Sequence, residues 1–66
     1  MQFFKTNDLD KALQFDSSVD AHEIAAAYEK AHDRIATVCH APRGFVVRCY
    51  QKKTKDGRLL FDAWIK

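Results

Sequence analysis

The sequence predicts an α+β domain in which one amphipathic helix packs on a small antiparallel sheet, in the order β-β-α-β-β and ending in a basic β-hairpin. Three observations predict it. Apolar residues recur at spacings of 4, 3, 4 and 3 through Ile24, Tyr28, Ala31, Ile35 and Val38, the stripe of a helix that buries one face. Apolar and polar residues alternate over 45–53 and again over 59–65, the period of half-buried strands. Between those runs lies Lys55-Asp56-Gly57, a three-residue loop with glycine at the left-handed position of a bulged hairpin.

In chain order, residues 1–5 read as a short strand, and Asn7-Asp8 signals a turn. Residues 11–16 alternate weakly, with Leu13 and Phe15 on one side and Gln14 and Asp16 on the other. That suits a second strand, and a short helix over 10–15 is the alternative because Leu, Lys and Ala favour helix. Asp20 followed by Glu23 has the spacing of a helix cap. With no Gly or Pro over 20–40, the helix is expected to run until Pro42 stops it. The loop 55–57 sorts the hairpin into two faces. Phe45, Val47 and Cys49 join Leu59, Phe61, Ala63 and Ile65 on the inner face. Val46, Arg48, Tyr50 and Lys52 join Leu60, Asp62, Trp64 and Lys66 on the outer one.

The 66 residues make a single domain, 1–66. A chain of this length buries roughly 60% of its unfolded surface and has little volume for a deep cleft. At 47% hydrophobic and 30% charged it has the composition of a folded protein rather than a disordered one. The N-terminus lacks the apolar stretch of a secretory signal, and no apolar run approaches the roughly 20 residues that span a bilayer. The expectation is a cytoplasmic protein of its host cell with no membrane partner. Cys39 and Cys49, both on apolar-patterned positions, are then expected to be reduced core residues.

Net charge is +2, unevenly spread. Residues 1–41 hold four basic and seven acidic residues, net −3, and residues 42–66 hold seven basic and two acidic, net +5. Such asymmetry points to a polyanionic partner. A single helix covers one face of a four-stranded sheet, so Tyr50 and Trp64 are expected to stand in water beside Arg48 and Lys52. Aromatic rings interleaved with basic side chains stack bases and contact phosphates. The same residue types dominate protein–protein hot spots. Lys52, Lys53, Lys55 and Arg58 cluster at the hairpin tip, where they either grip phosphates or guard a strand edge against pairing.

Other chemistry finds little footing. His22, His32, His40 and the two cysteines lack metal-ligand spacing, with no C-x-x-C and no H-x-x-x-H. Ser17 and Ser18 have no nucleophile-elbow context, and Asp16 and Asp20 are better placed for capping than for acid–base work. No glycine loop is present to cradle a phosphate. The chain is therefore read as non-enzymatic, without cofactor, metal or small-molecule substrate.

Two resemblances bear on function. Residues 22–35, with Ile24-Ala25, Lys30, His32 and Ile35, resemble the start of the phage regulatory family called Rha, and Tyr50 and Asp56-Gly57-Arg58 follow as its tyrosine and glycine hairpin do. That likeness implies a winged helix-turn-helix with His32, Asp33 and Arg34 opening a recognition helix. Glu29 stands where the family has a small residue or glycine at its turn. The whole-chain layout, including Gly44 to Arg48 and Lys55 to Arg58, is similar to small phage anti-CRISPR proteins. It implies an inhibitor that docks on a host nucleoprotein complex. The reading is thus a phage-type binding protein, monomer or homodimer. Its working residues are Arg48, Tyr50, Lys52, Lys53, Lys55, Arg58 and Trp64, and its partner is nucleic acid or, alternatively, a host nucleoprotein complex.

Overall fold

A computed structural model describes residues 3–51 and 55–66. It contains one α-helix and a four-stranded antiparallel sheet, as the sequence predicts, but in a different chain order. Strand β1 is Lys5–Thr6, a 3-10 turn spans Leu9–Lys11, and helix α1 is Ser18–His32. Strands β2 (Ala36–Ala41), β3 (Gly44–Tyr50) and β4 (Phe61–Ile65) follow. The order across the sheet is β1-β4-β3-β2.

The segment expected as a second strand or short helix is neither. Residues 12–16 run along the sheet end, where Leu13 N–H donates to the Ile65 carbonyl and Phe15 exchanges backbone bonds of 2.8 and 2.9 Å with Phe45. This anchor fixes where the helix starts. Ser17, not Asp20, is the N-cap, its hydroxyl accepting from the Val19 N–H at 3.2 Å. Asp20 falls in the first turn, where its charge complements the helix dipole.

The helix also stops early. Asp33 adopts φ 51°, ψ 46° and closes α1 after His32, so no recognition helix opens at His32-Asp33-Arg34. Residues 36–41 form β2 instead, joined to β3 through Pro42-Arg43 and paired from Ala36↔Cys49 to Ala41↔Gly44 without a break. Two physical features outweigh the helical spacing there. Ile35, Thr37 and Val38 are β-branched, which disfavours helix and suits strand. The two-residue turn also lets the segment pair at once with its neighbour.

The core lies between α1 and the inner sheet face. Ala21, Ala25 and Tyr28 from the helix meet Ala36, Val47, Cys49 and Ile65 from the sheet, with Phe3, Phe15, Ile24, Val38 and Phe45 around them. The alanines let the helix approach the strands closely. Tyr28 fills the centre at 1% exposure and meets the Phe3 ring edge-on at 5.6 Å. Ile35, expected in the stripe, is exposed because it lies beyond the helix end.

The hairpin register is as predicted at one end and slips at the other. Arg48 pairs with Trp64 and Cys49 with Ala63, as a 55–57 loop requires, but Tyr50 pairs with Phe61. One step along β3 matches two along β4, so Asp62 is the extra residue of a bulge. Beyond it the slipped register continues, with Gln51 N–H donating to the Leu60 carbonyl at 2.8 Å. The expected strands are accordingly shorter: Leu59 and Leu60 precede β4 and are exposed. Gly57 has φ 78°, the left-handed conformation expected of it.

Candidate nucleic-acid interface

The bulge decides the chemistry of the outer sheet face. Without it, Phe61 would join Val47 and Ile65 on the inner side. With it, Phe61 lies 5.1 Å from Trp64, ring centre to ring centre. The face opposite the helix therefore carries three rings, Tyr50 from β3 and Phe61 and Trp64 from β4, on the two central strands.

Arg48 sits among them. Its guanidinium carbon lies 4.8 Å from the Phe61 ring centre, 5.3 Å from Tyr50 and 5.6 Å from Trp64. All three distances lie within the range of cation–π attraction. All four side chains are half-buried, and Arg48 Nε is the one buried side-chain polar atom without a hydrogen-bond partner among the described residues. The ring faces thus hold the arginine in place where hydrogen bonds to its stem do not. The result is a fixed cation in an aromatic nest, reachable from solvent on one side.

Neighbours extend the surface. Thr37 on β2, opposite Arg48, reaches the Tyr50 hydroxyl at 3.5 Å. Val46 shares this side of the sheet yet is fully buried, so the face is packed, not bare, at that end. Phe4, whose carbonyl accepts from Lys66 N–H, is 62% exposed beside β4. At the bulge, Asp62 forms an ion pair of 2.6 Å with Lys5 of β1. That contact, chiefly the hydrogen bond, raises the Lys5 pKa; it lies on the helix side of the sheet, near Tyr28 and Cys49, not on the Arg48 face.

Of the predicted site residues, the structure brings Arg48, Tyr50 and Trp64 together. Lys55 and Arg58 are exposed, on the connection before β4. Lys52 and Lys53 fall outside the described residues. Sequence reasoning missed Phe61, which it placed inside. The alternation of 59–65 gives no sign of a bulge, so the only available hint was the preference of aromatic residues for aromatic neighbours across strands.

The remaining reactive groups are ordinary. Both cysteines are free; Cys39 lies on β2 opposite Val46, not in a helix, and burial pushes the Cys49 thiol up to about 11, which disfavours the nucleophilic thiolate. Among the described residues no three His, Cys, Asp or Glu side chains gather as metal ligands, and no helix is long and apolar enough to cross a membrane. Comparison with protein-family models, with curated proteins and with solved structures finds no match to this chain.

Proposed function

We propose that this chain is a non-enzymatic, phage-type protein that binds nucleic acid through the outer face of its sheet. The reading rests on one observation above the others: a fixed arginine among three aromatic rings on the two central strands, on the face that the helix leaves open. Rings on a sheet stack unpaired bases, and a neighbouring cation draws the phosphate backbone. Lys52, Lys53, Lys55 and Arg58 form the electrostatic rim, in keeping with the +5 balance of residues 42–66. The surface favours single strands, because a flat aromatic face has no ridge to enter a groove of duplex DNA.

Trp64 is the only tryptophan of the chain, so its fluorescence reports on this face directly. Titration with single-stranded DNA at low salt is expected to quench Trp64 and to raise the anisotropy of a labelled oligonucleotide. Both signals should weaken with added salt as counterion release becomes less favourable. Binding that leaves Trp64 fluorescence unchanged would move the site elsewhere, and no binding at low salt would sink the proposal. In that event docking on a host nucleoprotein complex is the reading that remains. The exposed Phe4, Leu59 and Leu60 would be its anchors.

A further inference from the structure

β2 forms one edge of the sheet, and its outward side is defined by the turn that follows it. Pro42-Arg43 is a two-residue loop, so Ala41 and Gly44 close the hairpin as a hydrogen-bonded pair. Pairing then alternates along the strand. Ala41, Cys39 and Thr37 direct their backbone groups to β3, while His40, Val38 and Ala36 direct theirs away from it. An independent contact agrees with this parity: Ala36 N–H is met by the Glu29 carboxylate of α1 at 3.4 Å, not by β3. Among the described residues no group meets the outward N–H and C=O of Val38 and His40.

An open edge of this kind pairs with other chains unless something prevents it. Proteins usually guard edges with lysine, proline, a bulge or extreme shortness. β1, at the opposite edge, has two residues and carries Lys5. β2 is six residues long, regular in register, and contains no Lys, Arg, Asp, Glu or Pro.

We infer that β2 pairs antiparallel with β2 of a second copy of this chain, about a twofold axis at Val38. The outward residues are spaced evenly about Val38, so the edge is complementary to itself. The two Val38 residues exchange N–H and C=O bonds, and each His40 N–H reaches the free Ala36 carbonyl of the other copy. Thr37 then lies opposite Cys39 of the second copy, a small pair that lets the strands approach. Because β2 contains no Lys, Arg, Asp or Glu, the pairing opposes none of these side chains of one strand to their like on the other. A chain this small also commonly gains stability by association. The joined sheet has its helices on one side and both Arg48 nests on the other.

The test uses the full chain. Sedimentation under reducing conditions is expected to show a reversible monomer–dimer equilibrium. Val38→Pro removes a donor that the chain itself does not use, in a strand position where proline is tolerated. It should yield a folded monomer, with folding checked by circular dichroism. Thr37→Cys supplies a second readout that does not depend on that variant folding. Oxidised glutathione, as electron acceptor, should link it to Cys39 of the other copy, giving a covalent dimer that disappears when Cys39→Ser is added. A folded wild-type monomer at every concentration overturns the inference. So does a dimer whose cross-link survives Cys39→Ser.

Discussion

Arg48 and Trp64 face each other across β3 and β4, and the Arg48 guanidinium lies 5.6 Å from the Trp64 ring centre. Two further rings share that cation, so Arg48 has both a structural and a binding role. Cation–π contacts are worth about 0.5–1 kcal/mol when exposed and about 2 when desolvated. For this half-buried cluster, Arg48→Ala should lower stability by about 1–2 kcal/mol in urea denaturation. Arg48→Lys should recover only part of the loss, because an ammonium has no flat face to stack. A fully stable Arg48→Ala would mean that the rings pack without the cation.

Gly44 is where β3 meets the segment ahead of the helix. Its φ is 150°, a conformation that residues with a side chain avoid. A methyl group there would also strike the Phe15 carbonyl, which accepts from Phe45 N–H at 2.9 Å. Backbone strain and overpacking each cost about 1–3 kcal/mol. Gly44→Ala should therefore destabilise by about 2–4 kcal/mol, and an unchanged melting temperature would show that Phe15 is not held against Phe45.

Asp33 ends the helix at positive φ, a position glycine occupies more readily. Its carboxylate also sits at the negative end of the helix dipole. Asp33→Gly removes both penalties and should stabilise the protein by about 1 kcal/mol. Destabilisation by the same substitution would point to a contact made by the Asp33 side chain.

The sequence carried the elements whose signals are local and unopposed. Alternation over 45–50, and the loop before β4, were enough to pair Arg48 with Trp64. The helix was legible through Tyr28, and then its spacing misled. Ile35 and Val38, beyond the end of α1 at His32, continue a 3–4 period by coincidence, while the segment 36–41 is stabilised as a strand against β3. The bulge at Asp62 was illegible because the alternation over 59–65 carries no local mark of it. These positions separate the two readings experimentally. If the helix reached Val38, Ile35→Asp would unfold the chain. With Ile35 36% exposed, it should cost less than about 1 kcal/mol, as surface changes do. Ala25→Asp, placing a charge at a site that is 4% exposed, should abolish folding.

At alkaline pH three neighbouring groups, Cys49, Tyr28 and Lys5, act together. Burial raises the Cys49 thiol from 9.0 to about 11, against a hydrogen bond from Tyr28 that favours the thiolate. Burial likewise raises the Tyr28 hydroxyl above 10.0. The hydrogen bond to Asp62 raises Lys5 above 10.5. In each case the unfolded chain releases its proton at lower pH than the folded one, so stability falls as pH rises. The thiol contribution is complete below pH 9.0 and is lost on the way to about 11. It amounts to on the order of 2–3 kcal/mol. Tyr28 and Lys5 add their losses above 10.0 and 10.5. Urea midpoints should accordingly hold steady up to about pH 9 and then decline. Cys49→Ala, compared with its own stability at neutral pH, should move the onset of that decline towards 10.0, where Tyr28 begins to ionise in the unfolded chain. An onset unchanged by Cys49→Ala would assign the alkaline transition to Tyr28 and Lys5 alone.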